Sequence, residues 1–493
     1  MMNSLAYIGR EFTPVARDGK IVNYKLRDPL HLDFSRKEHT FIVAKSGGGK
    51  SYLAGVYAEE LVRTMENYAV VVLDPMGIFN TLTMPNTNEP EFAEWNAQLR
   101  GEIIPGGVEK VSVWVPAGDA GQFMDGTYNH EFSFRAVEFS QGSLCFAFDL
   151  DPLEPQVNLF RKARALALKR YGDDFTLGSL ILIAREDGAE LGFHSQTIEA
   201  LITKLDALLE LGIITNDGVT VNDVVRDHSV AVFDLSLSGT YTARIVVNFF
   251  AEKLLLIRRQ ITRMITQAKV TETTIEKPAW YVPPVQLVLD EAHNYLPRNP
   301  VLKRAIKEGR NCGFMMTAIS QSPDLTRDVY ANITHLFVGP LIYDDDISGV
   351  RSMLPVPWTP KEMRAKVHSL TTGTFLYFNI DEKKETAIRV RPRRTLHPAS
   401  TELIDERLYF ASSGGGGLIP FTPESKPSQS SQSIQSIDDF IRSRHEEEQS
   451  RPGQAFYKSF YATCYSMLGN GKTLSPKQLG VIERDQQKRR EVK

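Results

Sequence analysis

The chain has 493 residues, 42% hydrophobic and 24% charged, which supplies core material for two or three domains and excludes a wholly disordered protein. Its 57 Lys and Arg stand against 60 Asp and Glu, a formal charge of −3, so any contact with nucleic acid must come from a local basic surface. Three scattered cysteines, Cys145, Cys312 and Cys464, exclude a disulfide framework and a Cys-rich zinc site and fit a reducing compartment. No apolar run reaches the roughly 18 residues of a membrane helix, and the N-terminus lacks the layout of a signal peptide. The sequence therefore predicts a soluble, cytoplasmic protein.

Residues 1–38 alternate weakly at Ile21–Leu26 and His31–Phe34, with Asp18–Gly19 as a turn before them, and predict short N-terminal strands. Thr40–Ala44 is a compact apolar run that enters a Gly-rich loop. Ser51–Thr64 then places Leu53, Val56, Tyr57, Leu61 and Val62 at helical spacing, and Tyr68–Leu73 is apolar again up to Asp74–Pro75. Strand, loop, helix and strand make a βαβ unit on a buried parallel sheet. Val230–Phe233 stopping at Asp234, Val285–Leu289 stopping at Asp290, Phe314–Ser320 and His335–Val338 predict further strands. Three of these runs end in an acid at the C-terminal edge, where open α/β sheets bind ligands.

Between about 80 and 227 the pattern is less regular. Lys110–Val115 and Ser143–Phe148 read as short strands, Pro155–Tyr171 and Gln196–Leu211 as amphipathic helices. This segment is expected to be a partly helical insertion in an α/β core spanning 39–400. Residues 401–453 read as a largely flexible linker, with SSGGGG at Ser412–Gly417 and SQSSQS at Ser428–Ser433. Residues 454–493 regain apolar character, and Ser475, Pro476 and Gln478 give a helix-start signal, so a small helical module is predicted there. From Arg451 onward nine Lys and Arg face three Asp and Glu, a basic end that either is solvated or holds DNA or a partner.

Ala44–Ser51 reads AKSGGGKS, the phosphate-loop pattern G-x-x-x-x-G-K-[ST] with alanine in first place. The strand before it and the helix after it supply the context that the pattern needs. Ser46, Gly47, Gly48, Gly49, Lys50 and Ser51 are thus the predicted ATP-binding residues. Glycines let backbone N–H groups converge on phosphate oxygens, Lys50 reaches the β- and γ-phosphates, and Ser51 ligates Mg²⁺. Asp290 and Glu291, at the end of an apolar strand, complete the constellation. Asp290 is expected to hold Mg²⁺, and Glu291 to polarise the attacking water, which suits an ATPase better than a kinase. Gln321, ending the next strand, is placed to sense the γ-phosphate or orient water, or else caps a loop. Asp74 and Asp234 either face the site or cap turns.

DEAHNYLP at Asp290–Pro297, EGRNCG at Glu308–Gly313, ISQSP at Ile319–Pro323, DPMG at Asp74–Gly77 and DLS at Asp234–Ser236, in this order and with this phosphate loop, resemble the HerA-like ATPases of the HerA/FtsK superfamily. The resemblance covers about 39–400. It implies a RecA-like P-loop ATPase core and a homo-hexameric ring that binds ATP between subunits and drives DNA, double-stranded by expectation, through a central pore. It also implies that Arg310 is an arginine finger reaching the neighbour's γ-phosphate; an intrachain salt bridge is the other reading of that residue. Departures from the family pattern are the short stretch before the phosphate loop, too brief for the usual N-terminal β-barrel that docks a partner nuclease, Ile78 where members often carry glutamate, and Asn311 where lysine is frequent.

Arg389, Arg391, Arg393 and Arg394 lie in IRVRPRR. Strand alternation puts the first three on one side, facing phosphates, a neighbouring subunit or solvent. Ser236–Thr242 and Ser322–Asp328, the latter with Arg327, are the candidate pore loops. The leading expectation is an ATP-driven DNA translocase or helicase. The alternatives are a conjugation- or secretion-type motor moving protein or nucleoprotein, and an ATP-dependent scaffold for a nuclease or other defence effector.

Overall fold

The computed structural model describes residues 5–17, 20–99, 103–323, 325–354 and 357–398. The linker and helical module expected over 401–493 lie outside the described residues. In chain order, β1 (Leu5–Arg17) and β2 (Lys20–Asp33) pair as a long antiparallel hairpin, and β3 (His39–Val43), α1 (Lys50–Thr64) and β4 (Ala69–Asp74) form the expected βαβ unit. Then come α2 (Glu89–Leu99), β5 (Val111–Pro116), β6 (His130–Phe132), β7 (Phe134–Arg135), α3 (Gln141–Phe148), α4 (Pro155–Tyr171), α5 (Leu177–Asp187), α6 (Ser195–Glu210), β8 (Ile214–Thr215) and the single turn α7 (Val221–Val224). The chain returns through β9 (Ser229–Asp234), α8 (Thr240–Thr271), β10 (Val285–Leu289), α9 (Pro300–Cys312), β11 (Phe314–Ser320), α10 (Arg327–Tyr330) and β12 (Ile333–Val338). It closes with α11 (Asp344–Met353), α12 (Pro360–His368), β13 (Thr374–Asn379) and β14 (Lys384–Val390).

Twelve strands make one sheet in the order β2-β1-β14-β13-β12-β3-β11-β10-β4-β9-β5-β6. From β12 to β6 every pairing is parallel; β13, β14 and the hairpin add an antiparallel flank. Both faces are covered, which is why the parallel strands are continuous apolar runs. Phe41, Val43, Val71 and Leu73 face the layer that contains α8 and α9. Their neighbours Ile42, Ala44, Val70 and Val72 face Leu53, Ala54, Tyr57 and Leu61 of α1. This is a RecA-like α/β P-loop ATPase fold. No helix among the described residues is long and apolar enough to cross a membrane.

The structure differs from the sequence expectations at four places. Where short strands were expected over 1–38, β1 and β2 run 13 and 14 residues, because each pairs along its length with the other and so outlasts its own weak alternation. Ser143–Phe148 is helical, not a strand. Ser140 caps α3 by accepting from the Ser143 N–H at 3.0 Å, and Asn248 of α8 donates to Ser143 Oγ at 3.0 Å; a local cap and tertiary packing outweigh a short apolar run. The segment between 80 and 227 is only partly set apart, because β5 and β6 extend the main sheet beyond β9. Finally, Arg391 and Arg393 are fully buried, so neither reaches DNA phosphates nor a neighbouring subunit. The chain leaves β14 at Val390 and crosses α1, where Arg391 Nη2 meets Glu59 and Glu60, each at 2.9 Å. Gly55 makes room for this crossing: a Cβ there would lie 2.5 Å from Arg393 Nε. Arg389 pairs with Glu94 at 2.7 Å, and Arg394 Nη1 donates to the Ile104 carbonyl at 3.1 Å.

Candidate active site

The parallel strands end along one edge, and the phosphate loop rises from β3 at that edge. Gly47 and Gly49 have φ of 70° and 93°, left-handed backbone that glycine adopts without penalty. The loop is anchored from two other connections. Lys45 N–H donates to the Pro340 carbonyl at 2.7 Å and Gly373 N–H to the Gly48 carbonyl at 3.3 Å. Thr372 Oγ1 donates to the Gly47 carbonyl at 3.0 Å. Alanine in the loop's first position is accommodated because Gly48 stands opposite: a Cβ on Gly48 would lie 2.9 Å from that of Ala44. Ser46 and Gly47 are exposed on the outer turn.

Lys50 opens α1 and is buried; its Nζ donates to the Lys45 carbonyl at 3.0 Å, and burial lowers its pKa. Ser51 Oγ donates to Asp290 Oδ2 at 3.2 Å, so the two groups expected to share a cation converge from α1 and the end of β10. The fully buried Asp290 carboxyl is pushed up to about 6 by burial and by the neighbouring Glu291. Glu291 itself sits at φ 50°, ψ 43°. Its carboxylate accepts from Gln321 Nε2 at 3.0 and 3.1 Å, and His293 Nδ1 lies 3.2 Å from Glu291 Oε2. The open glycine loop, the buried ammonium and the Ser51–Asp290 pair together fit a nucleoside triphosphate with Mg²⁺.

Asp74 and Asp234 cap turns. Asp74 accepts from the Met76 and Phe79 N–H groups at 3.1 and 2.8 Å, and Asp234 from Ser236 N–H and Oγ at 3.0 and 2.6 Å. Burial pushes the Asp74 carboxyl up to about 7; the Asp234 and Asp290 carboxylates add to this, and the Phe79 and Met76 N–H groups oppose it. Folded Asp74 thus keeps its proton to higher pH than an unfolded aspartate near 3.8. Its contribution favours the fold below that value and is lost as pH rises to about 7. Asp74→Asn is expected to remove this slope, up to about 1.4 kcal/mol per pH unit. The check is denaturant unfolding of both proteins between pH 4.5 and 7.5; parallel stability curves would refute the assignment.

Arg310 is not at this edge. It lies in the last turn of α9, before β11 begins, where Nε donates to the Lys37 carbonyl at 2.9 Å and Nη2 lies 3.4 Å from Asp381. Lys37 precedes β3 and Asp381 follows β13, which places all three at the opposite edge of the sheet. The five residues of β3 alone separate the edges by about 17 Å. Sequence reasoning assigned no part to His293 or to Thr372. His293 lay unremarked inside a quoted motif, and Thr372 is 325 residues from the loop carbonyl it holds, a contact with no local signal. The pore-loop candidate at 236–242 opens α8, and Arg327 lies in α10.

A phosphate loop after β3, an acid pair after β10, the parallel strand two places along the sheet, and a buried lysine define a P-loop ATPase, a site for ATP and Mg²⁺. Residues 19–254, just under half of the chain, match the family described as helicase HerA, central domain, and over that span the chain is similar to the HerA-like ATPases. Among solved structures it is similar to VirB4 of Thermoanaerobacter pseudethanolicus, at 15% identity over 76% of this chain and 91% of that one, with a TM-score of 0.41. It is similar also to the plasmid coupling protein TrwB in complex with the ATP analogue ADPNP, at 13% identity over 81% and 99%, TM-score 0.48. A third is the genome packaging NTPase B204 from Sulfolobus turreted icosahedral virus 2, at 11% identity over 71% and 97%, TM-score 0.30. No curated protein matches the chain.

Proposed function

We propose that the chain is an ATP-driven DNA translocase or helicase that works as a homo-hexameric ring in the cytoplasm. The observation that carries this reading is the separation of Arg310 from its own phosphate loop by the width of the sheet. An arginine so placed reaches a γ-phosphate only in a second copy, which makes each site depend on an ordered assembly. Within one subunit Lys50 and the loop glycines bind the phosphates, and Glu291 takes a proton from the attacking water. Ser51 and Asp290 would hold Mg²⁺, which supplies neutralisation of the phosphate charge.

The test is steady-state ATP hydrolysis with and without double- and single-stranded DNA, wild type beside Lys50→Ala. Several-fold stimulation by DNA, lost in Lys50→Ala, is the expected result, and strand preference then defines the motor's track. Lysine-dependent hydrolysis indifferent to both DNAs would refute a DNA motor in favour of a protein-moving motor or a scaffold for a nuclease or other effector.

A further inference from the structure

Glu291 carries the site's one acid with a left-handed backbone, φ 50° and ψ 43°, a conformation a glutamate seldom adopts and one that clusters at functional positions. Its side chain is 14% exposed. The Gln321 amide nitrogen lies across both carboxylate oxygens, at 3.0 and 3.1 Å. Only the NH₂ end of the amide can face a carboxylate, so the side-chain orientation is fixed by chemistry. A second working group is also tied to its own chain, since the Lys50 ammonium donates to the Lys45 carbonyl at 3.0 Å.

A carboxylate takes a proton from water only when one of its lone pairs is turned toward that O–H, so its orientation matters even though the Gln321 contact leaves lone pairs on both oxygens. We propose that Gln321 is a positioning residue that holds the Glu291 carboxylate in a resting orientation and so restrains hydrolysis in the absence of cargo. The proposal rests on the reading of Glu291 as the water-activating group. The surroundings of Gln321 suit a releasable hold. Its backbone is fixed by the turn that follows β11, where Ser320 Oγ donates to the Ser322 carbonyl at 2.6 Å and accepts the Ser322 N–H at 3.2 Å. Gln321 itself is exposed, so its amide can exchange the carboxylate for water at small cost. Gln321 directly follows β11 and so lies on the ligand edge of the sheet.

The variant Gln321→Met keeps the side chain's length and removes its N–H donors. Steady-state hydrolysis at saturating ATP and without DNA is expected to rise about three- to ten-fold in Gln321→Met and in Gln321→Glu, whose charge repels Glu291. KM for ATP should stay near the wild-type value. A merely structural role cannot produce a gain in kcat. In the Glu291→Gln background, inactive by expectation, the second change should bring no gain. A kcat in Gln321→Met that does not move overturns the hold, and one that falls overturns it and makes Gln321 a direct support of turnover. Wild-type turnover in Glu291→Gln would remove Glu291 from the reaction, and the hold with it. An inactive Glu291→Gln beside an unstimulated Gln321→Met would sink the hold alone.

Discussion

Arg310→Ala is expected to lower ATP turnover by about 1,000-fold while leaving ATP binding in place, because a trans-acting guanidinium contributes mainly to the transition state. The residue now holds two partners of its own chain, the Lys37 carbonyl and Asp381, with 35% of its side chain exposed. A pair so exposed contributes at most about 1 kcal/mol, so exchanging it for a phosphate is cheap. The decisive measurement mixes two inactive proteins. A Lys50→Ala subunit keeps Arg310, and an Arg310→Ala subunit keeps the phosphate loop. In a randomly mixed ring about half of the intact loops face an intact arginine across a head-to-tail interface. Activity should therefore reappear on mixing. A rate equal to the sum of the two residual rates would sink action in trans and return Arg310 to the status of an intrachain ion pair.

What was legible in the sequence was whatever is decided locally or by burial. Apart from Ser229, Gln286 and the acids at their ends, β4, β9 and β10 are apolar because they are covered on both faces, and such runs announce themselves without an alignment. The phosphate loop is equally local: its glycines, Lys50 and Ser51 are consecutive. Pairings across the sheet were not legible. Gln321 was expected to address phosphate or water, and it meets Glu291, thirty residues earlier in the chain. His293 stands beside the same carboxylate, although nothing in its position in the motif distinguishes it from its neighbours. The error over the arginines has a definite physical source. Alternation holds only while the chain stays in the strand, and β14 ends at Val390, so the rule was carried past the strand, by one residue to Arg391 and by three to Arg393.

That misread arginine produces the largest expected effect on stability. Arg391→Met is expected to destabilise the protein by about 3 kcal/mol, the loss typical of removing one side of a buried ion pair. Arg391 is fully buried, and its guanidinium also donates to the Tyr7 carbonyl at 2.9 Å and the Pro392 carbonyl at 2.7 Å. Its removal leaves Glu59 and Glu60 desolvated. Glu60 retains Arg63 and the Tyr7 N–H, and Glu59 retains the Thr395 N–H and hydroxyl, which keeps the loss from being larger. Burial pushes the Glu60 carboxyl up, but hydrogen bonding to Arg63 and the charges of Arg391 and Arg63 bring it below the usual 4.5. Its stabilisation is therefore present above that value and is lost as pH falls through the depressed folded value. The gap between wild type and variant should narrow in acid, and adding Glu60→Gln to Arg391→Met should recover part of it at neutral pH. Denaturant midpoints of the four proteins of that cycle measure the coupling. Additive losses would mean that the two side chains contribute independently. A non-additive result would tie the segment that follows β14 to α1, the helix whose first turn carries Lys50 and Ser51.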